Sequence, residues 1–261
     1  MSRSVIPASA RGFRKCRKRT LKFLVSNMLS VLFPARCPGC DRVHPIGEHG
    51  FCKSCHNRLR EPQGNLCPYC GKPIGQEELC CESCEGVSHP FITGEAAFLY
   101  TGLLQESMAR FKRGGRAEYG TVFAQMLWQR KKQWMRQIRQ AVLVPVPIHG
   151  SRLRKRGYNQ AALIAKELSV LSGFPVAEKL LLRRHDTTPQ KELTRQNRRK
   201  NLRGAFISGK CEDWLYLSGK CAIIIDDIYT TGSTIDACAA VLRDVGFEKV
   251  YFLCVCIGKG V

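Results

Sequence analysis

Between Cys37 and Cys84 the chain carries four C-x-x-C pairs in a repeated order. CPGC is followed after eleven residues by CKSC, and CPYC after ten by CESC. A C-x-x-C turn directs two thiolates at one point, and two such turns complete a tetrahedron around Zn²⁺. Residues 37–90 are rich in Cys, Gly and Pro and too poor in apolar residues for an ordinary core. Metal binding then supplies the missing folding free energy. Sequential pairing gives one site of Cys37, Cys40, Cys52 and Cys55 and another of Cys67, Cys70, Cys81 and Cys84. A cross-braced pairing is also open, and Cys80 stands beside Cys81 as a substitute ligand. Redox-active pairs are the competing reading, but four spaced pairs are unusual for that chemistry. Four thiolates leave no open coordination position, so the expected zinc is structural. His44, His49, His56 and His89 are expected at the surface rather than among the ligands.

The 15 cysteines are odd in number and concentrated before residue 85. That usage points to metal in a reducing cytoplasm rather than a disulfide framework. Lys plus Arg number 42 against 21 acids, a net charge of +21. Such a field favours polyanions: nucleic acid, phosphates or an anionic surface. At the N-terminal end, Leu21, Leu24, Val25, Met28, Leu29 and Leu32 fall at helical spacing after a basic arm. The stretch is too short to span a bilayer, and no small-residue cleavage site follows it. A helix packed on the protein is expected, with no membrane span.

Three regions follow: a basic arm and helix at 1–36, the Cys-rich segment at 37–90, and an α/β region at 91–261. In the last, strands are expected at Glu95 to Thr101, Ala141 to Val146, Ala222 to Ile228 and Lys249 to Ile257. Helices are expected at Gln105 to Phe111, Thr121 to Arg139, Tyr158 to Leu171 and Thr234 to Val245. Strands alternating with helices imply a mostly parallel sheet covered on both faces. Arg183 to Arg203 is basic and without periodicity, a candidate mobile loop.

Residues Ile223 to Thr234, IIIDDIYTTGST, form the second constraining feature. The apolar run reads as a central parallel strand. It ends in Asp226-Asp227, expected to be exposed at the carboxyl edge of the sheet, where open α/β proteins bind ligands. Thr230, Thr231, Gly232, Ser233 and Thr234 then open a helix whose buried face is Ile235, Cys238, Ala239, Leu242 and Val245. Backbone N–H groups and small hydroxyls at a helix N-terminus make an anion pocket. The two carboxylates accept hydrogen bonds from sugar hydroxyls a few residues away. A nucleotidase reading is weaker. Gly204 to Lys210 matches G-x-x-x-x-G-K, but Cys211 stands where a Ser or Thr should bind Mg²⁺.

IIIDDIYTTGST resembles the phosphoribosyl pyrophosphate motif of type I phosphoribosyltransferases. VPVPIHGSRLRKRGYNQ (Val144 to Gln160) and TPQKELTRQNRRKNLRGAF (Thr188 to Phe206) resemble the second and third signatures of the ComF family, which includes ComFC and GntX-like proteins. The paired cysteines resemble that family's N-terminal zinc domain. The resemblance spans about residues 29–258 in the expected order. It implies a type I phosphoribosyltransferase-like fold with a small zinc domain. It implies that Asp226 and Asp227 hold ribose hydroxyls, with Mg²⁺, and are the catalytic pair if the protein is an enzyme. Residues 230–234 would cradle the 5′-phosphate, and the loop after Val144-Pro-Val-Pro147, with Arg152 and Arg156, would bind pyrophosphate. Lys112 and Arg198 would add phosphate contacts.

Two functions are implied. One is a cytoplasmic protein that binds phosphoribosyl pyrophosphate and single-stranded DNA in DNA uptake, alongside a competence helicase or other uptake proteins. The other is an enzyme moving 5-phosphoribose to a nitrogenous acceptor. The basic arm, Lys112 to Arg116, Arg152 to Arg156 and Arg195 to Arg203 are the expected backbone contacts. Phe111 and Tyr158 could stack bases if exposed, whereas Phe206 is expected in the core.

Overall fold

The computed structural model describes residues 34–45, 48–184, 204–209, 214 and 220–258. The expected helix within Leu21 to Phe33, Arg198 with most of the basic segment, and Lys210 with Cys211 lie outside these residues. Four strands form one sheet: β1 (Gly94–Leu99), β2 (Val142–Pro145), β5 (Cys221–Tyr229) and β6 (Lys249–Ile257). Their order is β1-β6-β5-β2, and every pairing is parallel. The register sets Val144 beside Ile224 and Ile224 beside Phe252. Two more short strands, β3 (Leu181–Arg183) and β4 (Phe206–Ser208), make a separate antiparallel ribbon.

Alternation along the strands divides the core. Val142, Val144, Ala222 and Ile224 face one layer, while Leu143, Ile223 and Ile225 face the other. The second layer is built by α2 (Gly102–Arg113), α3 (Tyr119–Gln137) and α5 (Gln160–Ser172). The first is built by α6 (Ser233–Asp244), the β3–β4 ribbon and, unexpectedly, the second cysteine cluster. Ala222 to Ile225 are wholly buried, because both faces of this strand are covered. Burying each such isoleucine contributes roughly 1.5–3 kcal/mol. The α6 face buries Ile235, Cys238, Ala239 and Leu242 as its spacing predicts, with Val245 packed partly against them.

One departure from expectation has a local cause. The segment carrying Arg152 and Arg156 is not a loop but a short helix, α4 (Gly150–Arg156), whose N-cap is His149. Histidine is a weak capping signal, so periodicity alone does not reveal it. Gly157 ends α4 in the left-handed region at φ 83°, and Asn159 caps α5, its side chain accepting from the Ala161 amide. The nucleotidase-like Gly204 to Gly209 stretch contains strand β4 rather than a phosphate-binding turn. Among the described residues, no helix is long and apolar enough to cross a membrane.

Candidate functional site

The four cysteine pairs close into two sets in sequential order. Cys37, Cys40, Cys52 and Cys55 form one; Cys67, Cys70, Cys81 and Cys84 form the other. Within each set the ligand atoms lie within 4.8 Å of one another. Sulfur separations of 4.0 Å for Cys40–Cys52 and 3.5 Å for Cys70–Cys81 bracket the tetrahedral edge around Zn²⁺, about 3.8 Å. The donors and their spacing therefore fit structural zinc. Cys80 belongs to neither set. The knuckle of the first set precedes the helical turn α1 (Lys53–His56), which carries Cys55. Two of the four histidines depart from the surface expectation. His44 is buried, its ring 2.6 Å from the Gly50 carbonyl oxygen, and the His89 side chain is only 1% exposed.

At the carboxyl edge of the sheet a cavity of about 450 Å³ opens between the ends of β1, β2 and β5. Strand β5 projects Asp226 and Asp227 into it, and the following turn contributes Thr230 and Thr234. Thr231, Gly232 and Ser233 complete a smaller adjoining concavity. Gly232 sits at φ 79°, where a side chain is strained, and a Cβ there would also collide with the Tyr229 hydroxyl. Both constraints restrict this position to glycine. Thr231 Oγ1 and Ser233 Oγ are hydrogen-bonded at 3.1 Å, and either hydroxyl can donate.

The acidic pair is less exposed than the sequence implies: Asp227 is buried and Asp226 half-buried. Lys112, from α2, reaches Asp227 at 2.8 Å. Burial opposes the Lys112 charge, but attraction to Asp227 and then Asp226 outweighs it and holds its pKa above the ordinary value. Asp226 is pushed up to about 7, first by burial and then by the Asp227 charge. Its Oδ1 accepts from the Asp227 amide at 2.8 Å. A carboxyl poised near neutrality in a cleft is a mark of a working site.

Arg152 and Arg156 line the same cavity. Burial draws the Arg156 pKa down, and the Asp227 charge partly restores it. Arg156 donates to the side-chain oxygen of buried Gln160. Asn159 Nδ2 donates to the Val146 carbonyl at 3.0 Å, tying α5 to the end of β2. Tyr158 donates to the Phe111 carbonyl at 2.5 Å. Phe111 and Phe206 are buried, so neither can stack a base, and Tyr158 is half-buried. The cavity also holds Tyr100, Asn159, Gln160 and Arg183, none singled out by sequence. Arg183 is visible there only as the start of a basic run. For Tyr100 the sequence offers no signal beyond its place after β1.

A family model described as a double zinc ribbon domain matches residues 28–85. Over 232 residues the chain is 29% identical to the DNA utilization protein YhgH of Salmonella typhi, covering 88% of this chain and 99% of that protein. It is 26% identical to Competence protein F of Haemophilus influenzae, over 84% of this chain and 95% of the relative. It is 28% identical to Competence protein ComFC of Bacillus subtilis, over 75% and 78% respectively.

Proposed function

The chain is a homologue of the ComF-type competence and DNA-utilization proteins, and from that premise we propose that it binds phosphoribosyl pyrophosphate and single-stranded DNA in DNA uptake or utilization. One observation carries the small-molecule part. A pair of carboxylates, an amide-rich turn and a group of cations meet in one cavity at the carboxyl edge of a parallel sheet. The turn at 230–234 suits a 5′-phosphate, the Asp226–Asp227 pair suits adjacent sugar hydroxyls, and Lys112, Arg152 and Arg156 suit pyrophosphate. Among the described residues, Asp226 and Asp227 are also the only carboxylates lining the cavity, hence the donors available to Mg²⁺. Bound there, Mg²⁺ would neutralise pyrophosphate charge.

The pH dependence has a defined sign. Below about 7 Asp226 is protonated in the folded protein, with Asp227, Lys112 and Arg183 as its charged neighbours. A ligand carrying Mg²⁺ requires the ionised form. Affinity should therefore rise from pH 6 to pH 8, with proton release on binding that shrinks at the upper end. Calorimetry in buffers of different ionisation enthalpy measures that release. Stability runs the other way. A carboxyl whose folded pKa is raised favours the fold fully below its unfolded pKa and loses that contribution as pH rises through about 7.

The DNA part rests on charge placement. Arg113, Arg154 and Lys155 are exposed beside the cavity, and α4 carries four cations in seven residues. A strand following this rim would neutralise several phosphates and release their counterions. Titrating single-stranded DNA across a salt series should give log K falling linearly with log salt. Replacing Arg113, Arg154 and Lys155 together by Ala should reduce the slope by roughly 2, at about 0.7 per phosphate. Binding independent of salt would rule out this reading. A transferase reading draws on one further point: Arg152 and Arg156 line the same cavity as the acidic pair. Cations therefore stand where negative charge would build on a departing pyrophosphate. Pyrophosphate release in the presence of nitrogenous acceptors tests it.

A further inference from the structure

The second zinc ribbon does not hang from the α/β region; it forms part of its core. Cys67, Cys70, Cys81 and Cys84 pack in one cluster with Phe91, Phe252, Tyr229 and Ile235. The Gly94 amide, at the start of β1, donates to the Tyr69 carbonyl inside the CPYC knuckle at 3.0 Å. This cluster sits directly beneath the phosphate turn, and two contacts connect them.

The first is Tyr229, the last residue of β5. It is 1% exposed, and its ring stacks on Phe252 at 4.6 Å and an interplanar angle of 2°. From the ribbon, Lys72 lies over the same ring at 5.9 Å, its Nζ held by Ser83 Oγ at 3.0 Å. The Tyr229 hydroxyl is buried without a hydrogen-bond partner among the described residues, pressed against Gly232. Leaving a buried hydroxyl unsatisfied is destabilising. The packing around the ring therefore holds this tyrosine in place against that cost. The second contact is His89, just beyond the last cysteine pair. Its ring stacks on Phe91 at 4.5 Å, and Nδ1 meets Asp236 Oδ1 at 2.6 Å. Asp236 is in the first turn of α6, and its amide donates to the Gly232 carbonyl at 2.8 Å. The turn is thus held from below at Gly232 and at Asp236.

The first ribbon makes no such contacts among the described residues. It is fastened to the opposite layer, where Arg110 donates to the Pro38 and Gly39 carbonyls and Arg116 pairs with Asp41 at 2.9 Å.

We infer that the second ribbon, acting through the positioning residues Tyr229 and His89, sets the geometry of the phosphate turn. Zinc at Cys67, Cys70, Cys81 and Cys84 and a phosphoribosyl ligand at residues 230–234 therefore bind cooperatively. The ligand half of this inference rests on the function proposed above. Linkage makes the effect reciprocal: whatever zinc does for the ligand, the ligand does for zinc.

The test uses the full-length zinc-loaded protein. A zinc-selective chelator and a thiol-alkylating reagent are applied in excess Mg²⁺, with and without saturating phosphoribosyl pyrophosphate. Alkylation is read site by site by peptide mass mapping. The ligand should slow modification of Cys67, Cys70, Cys81 and Cys84 about tenfold, within the usual range of coupling between sites. Modification of Cys37, Cys40, Cys52 and Cys55 should change less than twofold. His89→Ala should lower ligand affinity about tenfold and speed amide exchange at residues 230–236, whereas His89→Asn, whose Nδ2 takes the place of Nδ1 and can still donate to Asp236, should restore both. Equal protection of both cysteine sets, or unchanged affinity and exchange in His89→Ala, would overturn the inference. If the unmodified protein binds no phosphoribosyl pyrophosphate by calorimetry, the ligand assignment fails. The exchange comparison between His89→Ala and His89→Asn still decides whether the ribbon supports the turn.

Discussion

Asp227→Ala is expected to weaken binding of phosphoribosyl pyrophosphate by roughly 100-fold or more. The carboxylate offers charge-assisted hydrogen bonds to sugar hydroxyls, each worth about 1.5–3 kcal/mol, and two of them account for that loss. It also anchors Lys112 at 2.8 Å, so its removal leaves that ammonium without its partner in the cavity. Lys112 keeps 31% of its side chain exposed, so water can solvate it in part and the stability loss stays near about 1–2 kcal/mol. For a protein of this size that lowers Tm by roughly 2–8 °C. Lys112→Met on the Asp227→Ala background should recover the stability but not the binding. Recovered stability would identify the unpaired ammonium as the source of the stability loss, while binding stays low in both variants because Lys112 is itself assigned to pyrophosphate. Isothermal titration and thermal unfolding of the parent and the two variants supply the numbers, and an affinity of Asp227→Ala within threefold of the parent would refute the assignment of Asp227.

Cys70→Ser should be the most damaging single change outside the cavity. Cys70 is wholly buried, and its zinc set is continuous with the core against β5 and β6. Losing one thiolate removes much of the metal's contribution to folding where no apolar residue can replace it. Bound zinc should fall from two ions to one, and Tm should fall by about 10 °C or more. Cys52→Ser in the first set is expected to cost less. Cys40 and Cys52 are half-buried, and that set shares a small cluster with Leu103 alone among buried residues of the α/β region. Metal analysis and thermal unfolding of both variants provide the comparison. Equal destabilisation by the two would show that the ribbons are energetically equivalent, contrary to their packing.

Much of the candidate site is legible in the amino-acid sequence because its parts are contiguous. DDIYTTGST holds two carboxylates, a left-handed glycine and a helix start within one turn of chain. Short-range sterics and hydrogen bonding dictate such a unit wherever it lies. Strand β6 matches its expected bounds because a long apolar run between turns admits few alternatives. The β3–β4 ribbon is not legible in the same way. Each strand is three residues long, and pairing across a long intervening segment, rather than local propensity, makes them strands. The buried His89 is missed for a related reason. A lone histidine after a cysteine cluster looks like surface until Asp236 is brought against it by packing.

The sequence by itself determined the two constellations on which the reading of this protein rests. Four repeated C-x-x-C pairs are spaced for a tetrahedral metal, and an acidic pair stands directly before a glycine-bearing turn. Both rest on atoms only a few residues apart, so local geometry is sufficient. Tertiary structure alone decided how they are joined. It chose sequential over cross-braced cysteine pairing and brought Lys112 to Asp227 from a different helix. It also packed the second zinc ribbon against Tyr229 and Ile235, which flank the turn at residues 230–234. These outcomes depend on strand order and on which side chains fill the space between layers. Periodicity specifies which face of an element is buried, but not what that face is buried against.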